Sequence, residues 1–262
     1  MRLERITPLI ITHNEACNIA RTLAPLAWAQ RVVIIDSGST DGTRDIASAF
    51  PQVEVISHPF VDFASQCDFG LHQIRTEWVL SLDADYRMSE AVIDELRALD
   101  PADDVGGYSA RFVYCIHGRP LRGSLYPPRT VLYRTKGAGH RQEGHAHRVA
   151  VPGRVLRLRG VVYHDDRKPL MRWLASQQRY AREEAAYLLG RRRQLLRMRD
   201  RLRLMAWPAP FAALFYALFL KRVVLDGRAG WFYALQRLLA ETLLALELIE
   251  QRSTAIGALG DR

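Results

Sequence analysis

The first hundred residues alternate short apolar runs with amphipathic segments, and this alternation constrains the fold more than any other feature. Four runs have the composition of buried strands, at 8–12, 31–36, 53–57 and 78–82. Segments of helical character follow them, at 15–26, 41–50, 63–74 and 89–99. Since strands separated by such helices pair in parallel, the pattern predicts an α/β fold with a mostly parallel, Rossmann-like sheet and helices on both faces.

Polar residues directly follow three of the predicted strands, at 12–15, 36–38 and 83–85. Ligands bind beyond the carboxyl ends of parallel strands, so we expect the three clusters to line one site. In the last cluster, Asp83 and Asp85 are one residue apart and can lean towards one Mg²⁺ or Mn²⁺ ion, with phosphate oxygens and water completing its shell. Asp36 can accept hydrogen bonds from a base or a ribose, and Gly38 permits close approach of the backbone.

Each cluster by itself also fits an ordinary connection, because Asp is common in solvated turns and an acidic residue suits the start of a helix. Taken together, in this order and spacing, they are far more specific. The stretches 9–43 and 78–87 (WVLSLDADYR) resemble the nucleotide-binding half of inverting family 2 glycosyltransferases with the GT-A fold. T-x-N-E, D-x-G-S-x-D-x-T and L-D-A-D are the fingerprints of that family. The sequence looks closest to its lipopolysaccharide-core β-1,4-glucosyltransferase-like subgroup.

The resemblance implies a metal-dependent, inverting transfer of a sugar from a nucleotide-diphosphate sugar of UDP or GDP type. It also implies a role for residues in each cluster. Thr12, Asn14 and Glu15 would line the nucleoside pocket, Asp36 with Ser37 and Gly38 would hold the base or ribose, Asp83 and Ala84 would contact the donor, and Asp85 with Asp83 would bind Mg²⁺ or Mn²⁺.

An inverting transfer needs a general base for the acceptor hydroxyl, and this base must come from the second half of the chain. The candidates are Glu143, His145, His147, Asp165 and Asp166. We favour Glu143, with Asp166 as the alternative. Relatives often carry V-H-E in this region, whereas this chain has G-H-A-H-R, so the motif does not fix the carboxylate.

Basic residues outnumber acidic ones by 37 to 28, and 34 of the 37 are Arg. Because Arg binds phosphate in a bidentate manner, this excess points to an anionic partner, and Arg122, Arg129 and Arg141 are candidate ligands of the donor diphosphate. A nucleic-acid-binding protein is one alternative, but no helix-turn-helix, RNA-recognition or zinc-finger pattern occurs. A nucleotidyltransferase is another, but its Gly-rich basic loop is missing after the first strand. The 3 cysteines form no C-x-x-C motif, which fits a reducing compartment.

The chain beyond residue 168 is almost wholly helical in character. Residues 191–203 contain seven Arg and one Asp, and the adjoining 205–220 contain no charged residue. A buried core helix would fit this apolar stretch, but a basic segment beside it favours contact with an anionic membrane surface. Its length falls short of the about 20 residues of a spanning helix, so we expect an interfacial or re-entrant segment.

These patterns together predict three regions. Residues 1–100 form the nucleotide-sugar-binding half, 101–168 the acceptor-side half, and 169–262 a helical, membrane-associating region. Within the second of these, Gly and Pro separate short strands at 108–116, 130–133 and 155–162, which indicates a mixed, partly antiparallel region at 105–165. We expect a lipid-linked or lipopolysaccharide-type acceptor and no nucleic-acid partner. The first eleven residues contain no apolar run ahead of a cleavage site, so we expect no signal peptide. The expected location is the cytoplasmic face of the inner membrane, as a peripheral or monotopic protein.

Overall fold

The computed structural model describes residues 1–143, 146–192, 194 and 196–260, with the side chains of 143, 146, 147 and 255–260 excepted. The described chain forms two compact units. The first is built from Met1–Pro120, Tyr126–Gln142 and His147–Lys168, and the second from Leu121–Leu125 and the chain from Pro169 onward.

The first unit contains a large sheet with four α-helices. The strands are β1 Ile6–Thr12, β2 Val32–Asp36, β3 Val53–Ser57, β4 Trp78–Asp83, β5 Tyr86–Met88, β6 Val105–Ile116, β7 Arg119–Pro120, β8 Arg129–Arg134, β9 Gly139–Glu143, β10 Ala146–Ala150 and β11 Arg154–His164. The helices are α1 Ile19–Leu23, α2 Thr43–Ser48, α3 Phe63–Leu71 and α4 Glu90–Ala98. Ser89 caps α4, as its position in the sequence predicts, by accepting a hydrogen bond from the backbone N–H of Val92.

The strand order is β3-β2-β1-β4-β8-β6-β11-β5, with β7 paired to β6 and with β9 and β10 forming a separate pair. The first four strands are parallel, as predicted. The second half is mixed, as the sequence indicates for residues 105–165: β6 and β11 are parallel, whereas β8 is antiparallel to both of its neighbours and β5 is antiparallel to β11. The prediction of a mostly parallel sheet therefore holds for the first four strands and is wrong for β5 and β8. In the described chain no helix lies between β6 and β8, and short connections of this kind permit antiparallel pairing. The fold is therefore a mixed α/β fold.

Alternating side chains of the central strands supply two cores, one on each face of the sheet. Ile6 and Ile10 of β1 belong to the larger core, which α1, α2 and α4 cover. Leu9, between them in the sequence, points to the opposite face and packs with Leu71 of α3. Helices therefore lie on both faces, as the sequence predicts.

The register of the parallel strands brings their carboxyl ends to one edge of the sheet. Thr12 of β1 is paired with Asp36 of β2, and Ile11 is paired with Asp83 of β4. On the far side of the sheet, His164 at the end of β11 is paired with Tyr86 of β5. Because β5 begins directly after the L-D-A-D segment, this pairing brings the end of β11 next to Asp85.

The second unit is helical. It contains α5 Leu170–Gly190, α6 Met198–Leu204, α7 Pro208–Phe215 and α8 Gly227–Gly260, with a π-helical turn at Tyr216–Leu220 and a 3-10 turn at Val223–Asp226. Its core joins Ala181, Ala185 and Leu188 of α5 to Leu244 and Leu248 of α8. Among the described residues, no individual helix has the length and apolar character to cross a bilayer. Pro208–Leu220 and Val223–Thr254 reach that threshold only as a pair, with a bend of 70° between them.

Candidate active site

Two loops that follow β1 and β2 are tied together by hydrogen bonds. The backbone N–H of Asn14 donates to Ser39 Oγ at 2.7 Å, and Asn14 Oδ1 accepts from the backbone N–H of Thr40 at 2.7 Å. The backbone N–H of Glu15 donates to Thr43 Oγ1 at 2.7 Å. Asn14 has a left-handed backbone with φ of 57°, a conformation that Asn tolerates better than most residues. The predicted nucleoside-binding residues Asn14 and Glu15 therefore belong to one cross-linked rim.

Asp36 lies at the floor of this rim and is completely buried. Its carboxylate accepts a hydrogen bond of 2.8 Å from the backbone N–H of Ser39, which closes the turn after β2. Gly38, inside this turn, has a φ of 80°, in the region that favours glycine. Ser37 Oγ accepts a hydrogen bond from Gln66 Nε2 at 2.9 Å. The carboxylate that the sequence assigns to a base or ribose thus also shapes its own loop.

Thr12 is buried at the end of β1, beside Asp36. Its carbonyl accepts from the backbone N–H of Ser37 at 3.0 Å. Its Oγ1 atom is buried and has no hydrogen-bond partner within the described part of the chain. A buried hydroxyl without a partner is costly, so this atom is available to a polar group of a ligand.

The segment Asp83-Ala84-Asp85 joins β4 to β5 and is held from both sides. The Ala84 carbonyl accepts from Thr22 Oγ1 at 2.7 Å. The Asp85 carbonyl accepts from the backbone N–H of Asp165 at 3.0 Å. Asp83 is half-buried, whereas the side chain of Asp85 is only 12% exposed. The two carboxylates therefore occupy different environments, although only Ala84 separates them in the sequence.

Two cationic or cation-forming side chains lie beside Asp85. His164 Nε2 is 3.2 Å from Asp85 Oδ2, and Lys168 Nζ is 3.8 Å from the same oxygen. Burial by itself would raise the pKa of Asp85, but His164 and Lys168 outweigh burial and hold that pKa well below its usual range. The rings of Tyr114 and Tyr126 surround His164 with centroid distances of 4.6 and 4.7 Å. Asp85 is therefore an ionised carboxylate in a largely dry environment.

Lys168 connects three carboxylates that come from three separate segments. Besides Asp85, its Nζ contacts Glu15 Oε1 at 2.8 Å and Asp166 Oδ2 at 3.4 Å. Asn18 Nδ2 donates to Glu15 Oε2 at 2.8 Å and to Asp166 Oδ1 at 3.0 Å. The name Lys168 cluster is used below for Glu15, Asp85, Asp166 and Lys168.

The charges of the Lys168 cluster leave Glu15 poised between its two protonation states. Burial raises the pKa of Glu15 to about 7, because the Lys168 ammonium offsets the cost of burial only in part and the Asp85 charge adds to it. For Lys168, burial acts in the opposite sense to its three carboxylate neighbours, and the carboxylates raise its pKa well above the ordinary value. Lys168 therefore keeps its positive charge at neutral pH, next to Asp85, the expected metal ligand.

A second cation, Arg129 at the start of β8, lies beside Asp83. Its Nη1 is 3.5 Å from Asp83 Oδ2 and donates to the hydroxyls of Tyr86 and Tyr126 at 2.9 and 3.0 Å. The two hydroxyls also contact each other. Burial raises the pKa of Tyr126 to about 12, so its hydroxyl keeps its proton at neutral pH. Asp83 and Asp85 are thus each accompanied by a separate basic side chain.

The donor set at the L-D-A-D segment fits a hard divalent cation. Carboxylate oxygens are the ligands that Mg²⁺ and Mn²⁺ prefer. Asp85 Oδ1 is buried and has no hydrogen-bond partner in the described residues, as expected of an atom reserved for another ligand. Groups of three or more His, Cys, Asp or Glu side chains with metal-binding geometry do not occur in the part of the chain that the structure describes. A cation here would therefore draw further ligands from the diphosphate and from water.

The other residues that the sequence singles out lie outside the described residues, on the surface or in ion pairs. The side chain of Glu143, the favoured base, lies outside the described residues, as do His145 and the side chain of His147. Arg141 is exposed on β9. Asp166, the alternative base, is within the Lys168 cluster, whereas Asp165 is paired with Arg21 and Arg167 and its pKa is lowered. Sequence reasoning assigned no role to Lys168, His164 or Asn18; their position near strand-end acidic residues becomes visible only when β11 is placed beside β5.

Comparisons with known proteins agree on one class of enzyme. The family model described as "Glycosyl transferase family 2" matches residues 8–164. An uncharacterized glycosyltransferase of Rickettsia felis is 24% identical over 96% of this chain and 93% of its own length. The lipopolysaccharide core biosynthesis glycosyltransferase LpsC of Rhizobium meliloti is 31% identical over 49% of this chain and 48% of its own.

Among solved structures, S. aureus TarS 1-349 in complex with UDP-GlcNAc has a TM-score of 0.51 at 14% identity. The match covers 95% of this chain and 92% of that protein. At this identity the likeness establishes a shared GT-A-like fold. The residues matched by the family model include all three polar clusters of the candidate site.

Proposed function

The chain belongs to glycosyl transferase family 2, and we propose that it transfers a sugar from a nucleotide-diphosphate sugar, with inversion, to a lipid-linked or lipopolysaccharide-type acceptor. Family membership makes the protein a glycosyltransferase, so this function is favoured over nucleic-acid binding and nucleotidyl transfer. The observation that carries the proposal is the register that brings Thr12, Asp36 and Asp83 to one edge of the sheet, with the ionised Asp85 two residues beyond Asp83.

We assign the nucleoside to the rim formed by the loops after β1 and β2. Thr12 Oγ1 offers a buried polar atom without a partner among the described side chains, and Asp36 offers carboxylate oxygens at the same edge. Asn14 and Glu15 complete the rim. Both a UDP-type and a GDP-type donor agree with these groups.

Asp85, together with Asp83, would hold Mg²⁺ or Mn²⁺. When bound, the cation neutralises charge that develops on the departing diphosphate. Lys168 on the Asp85 side and Arg129 on the Asp83 side add fixed positive charge around the same segment. Charge placed in advance in a partly dry site stabilises a leaving anion without reorganisation during the reaction.

The acceptor hydroxyl must lose a proton to a carboxylate of the chain. Asp166 and Glu143 are the two proposed bases. Asp166 is held in place by Asn18 and Lys168, which would orient its carboxylate. Replacement of the true base should abolish transfer and leave binding of the nucleotide unchanged, so Asp166→Asn and Glu143→Gln distinguish the two.

The acceptor class is supported by the relative LpsC, which shares 31% identity with about half of this chain. A lipid-linked acceptor would place the enzyme at the cytoplasmic face of the inner membrane, and this location is part of the proposal. The acceptor is best tested with a panel of radiolabelled UDP- and GDP-sugars incubated with bacterial membranes, followed by separation of labelled lipid from labelled water-soluble products.

Nucleotide binding is tested by thermal shift with UDP and with GDP, each with and without Mn²⁺. We expect one nucleotide to stabilise the protein only when the metal is present, and Asp85→Asn to lose that response. Asp94→Asn is the matched control, because Asp94 is an exposed residue of α4. Absence of any metal-dependent response to either nucleotide in the unmodified protein would contradict the proposed donor class.

A further inference from the structure

A row of aromatic side chains faces outward on the second unit. Trp207, Phe211, Phe215 and Phe219, named here the aromatic row, are 73%, 65%, 58% and 55% exposed. Their spacing of four residues is close to one helical turn, so they follow one side of the segment that runs from Trp207, the N-cap of α7, through α7 and the π-helical turn after it. Single exposed apolar residues are ordinary, but a continuous row of large aromatic groups marks a surface that another partner covers.

The opposite side of the same segment is already covered by protein. Ala209, Pro210, Ala217 and Leu218 are buried within the second unit, where α7 packs against α8. A helix with one side on its own protein and an apolar row on the other resembles an interfacial helix, which lies along a bilayer with only its apolar face immersed. Trp is also typical of the boundary between headgroups and hydrocarbon.

The charges around the aromatic row are mostly positive. Residues 205–240 contain four basic residues and one acidic residue, Asp226. The side chain of Asp226 is only 10% exposed and is paired with Arg122. Arg222 and Arg228, which follow the row along the chain, are exposed. The apolar surface is therefore accompanied by positive charge with little acidic compensation.

We propose that the aromatic row is a docking surface for an anionic lipid bilayer. The rings would enter the interfacial layer, and Arg222 and Arg228 would contact lipid phosphates. A second copy of the chain fits less well, because a two-fold contact through this face would bring two positive surfaces together. Docking rests on the proposed function only in that a lipid-linked acceptor would bring the enzyme to a membrane. It is a binding property that can be measured without transfer.

The test is co-sedimentation of the full-length protein with vesicles of phosphatidylcholine alone and with vesicles containing about one third phosphatidylglycerol. We expect binding to the anionic vesicles that weakens as salt is added. The double variant Phe211→Ser, Phe215→Ser should bind about tenfold or more weakly, because two rings no longer enter the interface. The variant Arg222→Gln, Arg228→Gln should lose the preference for anionic vesicles.

The matched control is Val61→Ser, Met171→Ser, which removes two exposed apolar side chains that are not part of the row, 74% and 72% exposed. It should bind as the unmodified protein does.

If the unmodified protein does not bind anionic vesicles, or if the Phe variant binds them equally well, the proposal is overturned. A dimer in sedimentation velocity that the Phe variant dissociates would instead assign the row to a second copy. Should the Phe variant fail to fold, the arginine variant and the salt dependence still decide. None of these results bears on donor binding, so failure of docking and failure of the proposed function are distinguishable.

Discussion

Glu15 should make the folded protein less stable as the pH rises from about 5 to about 8, and Glu15→Gln should remove this effect. In the folded state burial raises the pKa of Glu15 from 4.5 to about 7. Between these two values the folded carboxyl keeps a proton that the unfolded chain has already released. A raised pKa of this kind stabilises the fold below the unfolded value, and the contribution is lost as the pH rises through the folded value.

The size of the effect follows from the two pKa values. With one pKa unit worth about 1.4 kcal/mol, the part of the shift that falls between about pH 5 and pH 8 amounts to about 2–3 kcal/mol. The Glu15 side chain is 12% exposed, so solvent screening reduces this figure little. We expect the free energy of unfolding of the unmodified protein to fall by that amount relative to Glu15→Gln over the same interval.

Urea-induced unfolding at the two pH values and constant ionic strength measures the difference. Glu90→Gln is the matched control, because Glu90 is an exposed acidic residue in the first turn of α4 and should leave the pH dependence unchanged. The difference between the variant and the unmodified protein in how the free energy of unfolding depends on pH removes the contributions of other titrating groups, since both proteins contain these groups. Identical pH dependence in Glu15→Gln and in the unmodified protein would refute the reasoning that burial beside Asp85 dominates the charge of Glu15.

Three further outcomes are expected. Lys168→Met should lower the free energy of unfolding near neutral pH by about 3–5 kcal/mol, because it leaves buried carboxylates without their cation, and a loss under 1 kcal/mol in urea unfolding would contradict this. Asp85→Asn should reduce sugar transfer by about a hundredfold or more in a labelled-donor assay, while Asp94→Asn retains activity. Gly70→Ala should lower the melting temperature, because its Cβ would lie 2.6 Å from Leu9 Cδ1, whereas Gly190→Ala, with nothing within 4 Å, should not.

Local pattern was sufficient for the parallel strands β2 and β3. The strand predicted at 53–57 has the same bounds as β3. The strand predicted at 31–36 contains β2, whose residues are all buried. The predicted helix at 15–26 is reduced to Ile19–Leu23 and a short 3-10 turn. There the backbone N–H groups of Glu15 and Ala16 bond to side chains of the loop after β2, so the helix begins later.

The sequence pattern indicated a partly antiparallel region after residue 105, but it did not determine which strands pair there. Residues 105–164 show strand-like runs broken by Gly and Pro, and these signals do not say which neighbour each run meets. The structure decides it by placing β8 between β4 and β6 and β11 between β6 and β5. The antiparallel β5 and β8 follow from these choices, and with them the mixed character of the sheet.

The sequence by itself determined the chemistry at the ends of the first parallel strands, since each polar cluster must follow its own strand and parallel strands end at a common edge. The register of β2, β1 and β4 confirms that Asp36 and Asp83 lie at one edge of the sheet. Only the tertiary structure decided which basic side chains accompany these carboxylates. Lys168 and His164 are far from Asp85 in sequence, and they reach it because β11 pairs with the short β5 that follows the acidic segment. Long-range pairing of this kind depends on packing across the whole sheet, and no local pattern encodes it.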